Sequence, residues 1–204
     1  MCLYTNNNKV NKVRTKPVKC VKIVKRYIME DGTPRYFSLF CGGACNVRPV
    51  EYKPGEITDM YDIIDNSKTG TIDTPYPEKC KRSIYSSINE GYSSEKFEVG
   101  AGLHSYDPKH NGWKETASWA DEYFHKKQKH EDIMGVTVVG KTSKWYNVSV
   151  VIIECEIPIG ASYIKGRHNA VGNDDEIGYV SDKLKTLRVF ETVEEYEASK
   201  KIRT

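Results

Sequence analysis

Residues 135–157 read GVTVVGKTSKWYNVSVVIIECEI, and the choice of fold turns on them. Gly135, Gly140, Lys141 and Thr142 satisfy the spacing of a phosphate-binding loop. Such a loop needs a bare, pliant interior whose backbone N–H groups wrap phosphate, and a helix after the Lys-Thr. Here the interior is Val136-Thr137-Val138-Val139, which is β-branched, stiff and suited to a strand. A second β-rich run follows Thr142 where the helix should be. GKTS therefore reads as a hairpin turn, and a nucleotide-binding parallel sheet gives way to a mainly antiparallel one.

The second run, residues 148–157, has Val148, Val150 and Ile152 on one side and Val151 and Ile153 on the other. An apolar load on both sides marks a central strand covered on both faces. At its end, alternation with period two puts Glu154 and Glu156 on one face. Two carboxylates so placed are a candidate acid–base pair.

Upstream, WKETASWADEYFHKK (113–127) carries Trp113, Ala117, Ala120 and Phe124 along one stripe and is the clearest helix. GAGLHSYDP (100–108) gathers an imidazole, a hydroxyl and a phenol in His104, Ser105 and Tyr106, a composition suited to holding a polar ligand. Nearer the start, residues 18–29 read as a strand, Asp31-Gly32 as a hairpin turn and YFSLF as the return strand. Downstream, KLKTLRVFE (183–191) reads as a last strand. Thr192 and Glu195 have capping-box spacing and start a terminal helix.

The segment between the first hairpin and the central region is different. Residues 42–80 hold Gly42, Gly43, Gly55 and Gly70 with Pro49, Pro54, Pro75 and Pro77. This is loop material, and 42–95 reads as an insertion. Ile57, Met60, Tyr61 and Ile64 have helical spacing within it. Residues 1–16 read as a flexible basic N-terminus. The expected fold is α+β in a single domain, 1–204: a mixed, mainly antiparallel sheet of roughly five to seven strands, with one principal helix packed on it.

Bulk properties bound the function. The net charge is only +3, yet residues 1–29 contain eight Lys or Arg and no Asp or Glu. That basic opening suits a phosphate or another acidic partner. There are six cysteines, with no leader-like apolar stretch before them. No run nears the ~20 apolar residues that cross a bilayer. A reducing cytosol with free thiols is expected, and no membrane partner. Cys41 and Cys45 form a C-x3-C, but no second ligand pair completes a zinc site, so no metal is expected.

The segments MCLYT, GLHSY, ECEIPIGASYIKG and YVSDKL together resemble a family of small proteins of tailed phages and prophages of gut bacteria. The likeness is strongest over residues 100–190. It implies a protein at work in the cytosol of an infected bacterial host. More weakly, the order of GLHSY, a helix and a strand bearing Glu-x-Glu before IPxG is similar to ADP-ribosyltransferase-like folds. That likeness implies Glu156 orienting the ribose of NAD, with His104 or Tyr106 in the middle role.

Two readings from different classes follow. The first is a binding protein without catalysis or cofactor, which captures a small anionic or nucleotide-like ligand or blocks a host protein, in a counter-defence role. Lys22, Arg26, Lys165 and Arg167 would meet phosphate, His104 would line the site, and Tyr106 would stack on a base. The second is an ADP-ribosyltransferase-like enzyme using NAD, with His104, Tyr106, Glu154 and Glu156 as its catalytic set. A virion or scaffold component that assembles as a homo-oligomer is a third. Binding is preferred, because the catalytic pattern is incomplete.

Overall fold

β-Branched runs dominate the chain, and in the structure, a computed structural model, they pair into one large sheet. Residues 3–6, 9–29, 31–39, 50–60, 88–90, 97–99, 102–129, 137–138, 141–142, 148–168 and 176–202 are described. In chain order the strands are β1 (Leu3–Thr5), β2 (Asn11–Lys12), β3 (Val18–Ile28), β4 (Pro34–Ser38), β5 (Glu51–Tyr52), β6 (Ile57–Asp59), β7 (Ile88–Glu90), β8 (Phe97–Val99) and β9 (Leu103–Tyr106). Helix α1 (Gly112–Lys129) follows, then β10 (Thr137–Val138), β11 (Lys141–Thr142), β12 (Val148–Ile157), β13 (Ser162–Arg167), β14 (Ile177–Ser181), β15 (Lys183–Phe190) and helix α2 (Val193–Lys201).

From edge to edge the main sheet runs β6-β15-β12-β3-β9-β14-β13-β1-β8-β7, with β2 beside β13, β4 beside β3, and β5 beside β4. Among the described residues it has 13 strands and every ladder is antiparallel. The α+β expectation holds coarsely, but the sheet dominates and is much larger than five to seven strands. Among the described residues no parallel pair mixes into it, and the expected terminal helix is α2. The surplus strands are two to six residues long, and most are too short to show a period.

β10 and β11 pair antiparallel with Val138 opposite Lys141, so Lys141 and Thr142, read as part of the turn, lie in a strand instead. Only two residues separate the two strands, as in a tight hairpin and unlike a phosphate-binding loop. The first hairpin forms as read. Gly32 has φ of 81°; its N–H donates to the Met29 carbonyl at 2.9 Å, and the Met29 N–H donates to the Thr33 carbonyl at 3.0 Å. Elsewhere the chain departs from the reading. Ile57, given helical spacing, lies in β6 and pairs with Lys185; Tyr61 and Ile64 lie outside the described residues. Leu3–Thr5, read as part of a flexible tail, is a strand between β13 and β8 with Leu3 fully buried. Three residues suffice there because both edges of β1 are paired.

β3 and β12 run side by side over ten residue pairs, from Val18 opposite Ile157 to Tyr27 opposite Val148. One face of this pair carries Val21, Ile23, Val150 and Ile152, which pack against Trp113, Ala117 and Ala120 of α1 and Tyr196 of α2. The other carries Cys20, Val24, Val151, Ile153, Cys155 and Ile157, in a cluster with Tyr52, Tyr179 and Leu184. Covered on both sides, β12 is the central strand that its composition specifies. Among the described residues no helix is long and apolar enough to cross a membrane.

Candidate functional site

β9 is the short strand on which the candidate residues converge. It pairs with β14 along its length but with β3 only at Val21–Tyr106. Beyond that point β3 turns its edge to β4, starting at Val24. Lys22 lies in this gap between two ladders. Its amine donates to the His104 carbonyl, taking the place of a ladder N–H. Burial pushes the amine down from its usual 10.5 to about 8, while Cys155 and Cys20 nearby act in the opposite sense.

On the helix side of β9, the Tyr106 hydroxyl is 2.9 Å from the Thr116 hydroxyl on α1. The Tyr106 ring lies 4.5 Å from that of His168, and His168 lies 5.4 Å from His104. His168 is buried, and its Nε2 donates to the Ser105 carbonyl at 2.8 Å. Gly178 permits this, because a side chain there would run into the imidazole and the Ser105 carbonyl. Glu176 borders the cluster; burial raises its carboxyl, and Glu115 adds to the rise.

On the opposite side, Tyr179 donates to Asp107 at 2.8 Å, and Lys165 reaches the same oxygen at 3.2 Å. Burial works against the Asp107 charge. Hydrogen bonds from Lys109, Tyr179 and Lys165 outweigh it and hold the carboxyl below its usual range. The Lys165 ammonium stands 5.5 Å from the centre of the Tyr179 ring, and the Tyr163 ring meets Tyr179 edge-on at 5.8 Å.

The two acids do not join this cluster. Glu154 is opposite Val21, which is opposite Tyr106, so Glu154 shares that face but is separated from the cluster by β3. Its carboxylate accepts from Arg188 Nε at 3.1 Å, on β15. Glu156 is opposite Lys19 and lies 3.8 Å from the Lys185 amine. The pair expected to border a histidine pocket is instead held by two cations on the far side of β12.

The expected ligand-binding set also divides. Lys22 is buried at the β3–β9 gap and presents little surface to phosphate. Arg26 is ion-paired with Glu191 and donates to Ser149 at 3.0 Å, toward the other end of β3. Tyr106 is 4% exposed and bonded to α1, so its ring has no free face for a base. His104 is half-buried between its strand neighbours. Lys165 and Arg167 stay together, as alternate residues of β13. His168, Tyr179, Asp107 and Gly178 were not singled out from sequence. Alternation carried one usable signal, since Tyr163, Lys165 and Arg167 fall on one face of any strand through SYIKGR. The C-x3-C cysteines Cys41 and Cys45 lie outside the described residues.

Comparisons with protein-family models, curated proteins and solved structures returned no match.

Proposed function

We propose that the chain is a binding protein without catalysis, taking a nucleotide-like anionic ligand on the face of β13 that carries Tyr163, Lys165 and Arg167. One observation carries this reading: strand alternation sets two cations and an aromatic ring in a row on that face. The Lys165 side chain is half exposed, and the Tyr163 and Tyr179 rings flank it. Cations of this kind meet phosphate, and a tyrosine beside them offers a base a ring. The fixed Asp107–Tyr179 bond under Lys165 orders this face before a ligand arrives. In the infected bacterial cell that the phage resemblance implies, such a protein would act by sequestration, in a counter-defence role.

The NAD-dependent alternative is less well supported. It asks Glu156 to polarise a ribose, yet Lys185 stands against that carboxylate, and Tyr106 is committed to Thr116.

The test is calorimetric titration with cyclic AMP, AMP and inorganic phosphate. The expected result is saturable binding of a nucleotide, weakened at least tenfold in Lys165→Glu and Arg167→Glu and weakened further by added salt. No heat and no thermal shift from any of the three probes would remove the reading. Nicotinamide released from NAD by the native protein, and lost in Glu156→Gln, would put the enzyme in its place.

A further inference from the structure

Near the centre of the sheet, Cys20 on β3 stands directly opposite Cys155 on β12. Their sulfurs are 3.4 Å apart and both side chains are buried thiols. Opposed residues of an antiparallel ladder have Cα atoms about 4.5–5.5 Å apart. That falls within the roughly 4.4–6.8 Å that a disulfide spans. Forming the bond therefore asks for rotation of side chains and no shift of either strand.

Two neighbours favour the chemistry. Lys22 lies on the same face, two residues along β3, close enough for both sulfurs to act on its amine. Burial and the Cys20 contact push the Cys155 thiol well above its usual range, and the Lys22 cation opposes that rise, toward the thiolate that reacts in sulfur oxidation. Thr186 lies opposite Cys155 on the other side of β12. It is fully buried and its hydroxyl has no hydrogen-bond partner among the described residues. It offers a polar anchor to a small oxygen species that reaches the pair.

We infer that Cys20 and Cys155 are a redox modification site, a cross-strand dithiol that hydrogen peroxide converts to a disulfide. One thiolate attacks the peroxide O–O bond, giving a sulfenic acid, and the departing hydroxide takes a proton to become water. The second sulfur then attacks the first, and the sulfenic hydroxyl leaves as a second water. Two thiols and one peroxide become one disulfide and two waters, with two electrons passing from sulfur to oxygen. The product staples β3 to β12 across the central ladder. Nothing in this depends on the ligand reading.

Peptide mapping tests it. The native protein is treated with hydrogen peroxide, quenched, denatured in the presence of an alkylating agent and digested without reduction. The expected result is a linked species joining the Cys20 and Cys155 peptides, 2 Da lighter than their sum and separated by dithiothreitol. A variant with Cys2, Cys41, Cys45 and Cys80 all changed to Ser should keep the linkage, and adding Cys20→Ser or Cys155→Ser should abolish it. Recovery of both peptides as separate alkylated species, under conditions that fully oxidise glutathione, would overturn the inference. So would either cysteine linked to a different partner. If the multiple variant does not fold, the map of the native chain decides alone.

Discussion

At the scale of single residues, the structure depends on a few positions whose neighbours leave no latitude. Gly178 is one, because the His168 ring and the Ser105 carbonyl occupy the space a methyl group would need. One collider is backbone, so it cannot swing aside. Gly178→Ala should cost about 1–3 kcal/mol of overpacking, seen as a lower urea midpoint with an unchanged slope. A stability unchanged within error would mean the imidazole is not seated there. Lys22 is another. Its charge is a buried cost, fully present below about pH 8, where the folded and unfolded chains are both protonated. Between about 8 and 10.5 the unfolded chain keeps a proton that the native amine gives up, so stability owed to Lys22 rises with pH in that window. The buried tyrosines and Cys155 have raised values and pull the other way at alkaline pH, so the native curve alone does not isolate the lysine. The difference between native protein and Lys22→Met does. It should grow in favour of the native protein by on the order of 3 kcal/mol from pH 8 to 10.5. A flat difference in urea titrations would refute the buried charge.

At the scale of elements, the start of the short C-terminal helix is set by local sequence. Thr192 accepts from the Glu195 N–H at 3.1 Å, and the Glu195 carboxylate reaches back to the Glu191 N–H at 2.7 Å. Thr192→Ala should cost about 1 kcal/mol. Thr192→Asn should restore most of it in the same denaturation experiment. This helix, the first hairpin, α1 and the strands at 18–28, 148–157 and 183–190 were legible because each carries its own cap, turn or period. What was not legible depends on register. Nothing near Cys20 announces Cys155, and nothing near Glu154 announces Arg188, because partners far along the chain are chosen by the ladder. β15 even takes an extra residue between Arg188 and Thr186 where it faces Glu154 and Cys155, a bulge that no periodic reading supplies. Ile57 misled for a related reason. Its spacing suits a helix, but it is 52% exposed and is held by its ladder with β15. His168 carries no local signal, and its role appears only once β14 places Gly178 beneath it.

At the scale of the whole molecule, β3 and β12 form the longest ladder and have both faces covered, so they should be the last elements to open. Hydrogen exchange monitored by mass spectrometry should find segments 18–28 and 148–157 the slowest, exchanging only with global unfolding. Slower exchange in the peripheral β1–β8 ladder would reverse that ranking of stability. The long-range pairing also places the chain among slow folders, since loop closure must precede the contacts that reward it. In the cell the delay is set first by translation. The partner of Cys20 is encoded 135 residues later, so at about 5–20 residues per second the first long strand waits roughly 7–27 seconds for its mate to emerge. Throughout that wait its valines and isoleucines are uncovered beside the ribosome. The nascent polypeptide is thus a natural client for chaperones, and recombinant yield should depend on their supply and on growth temperature more than on the finished fold's strength.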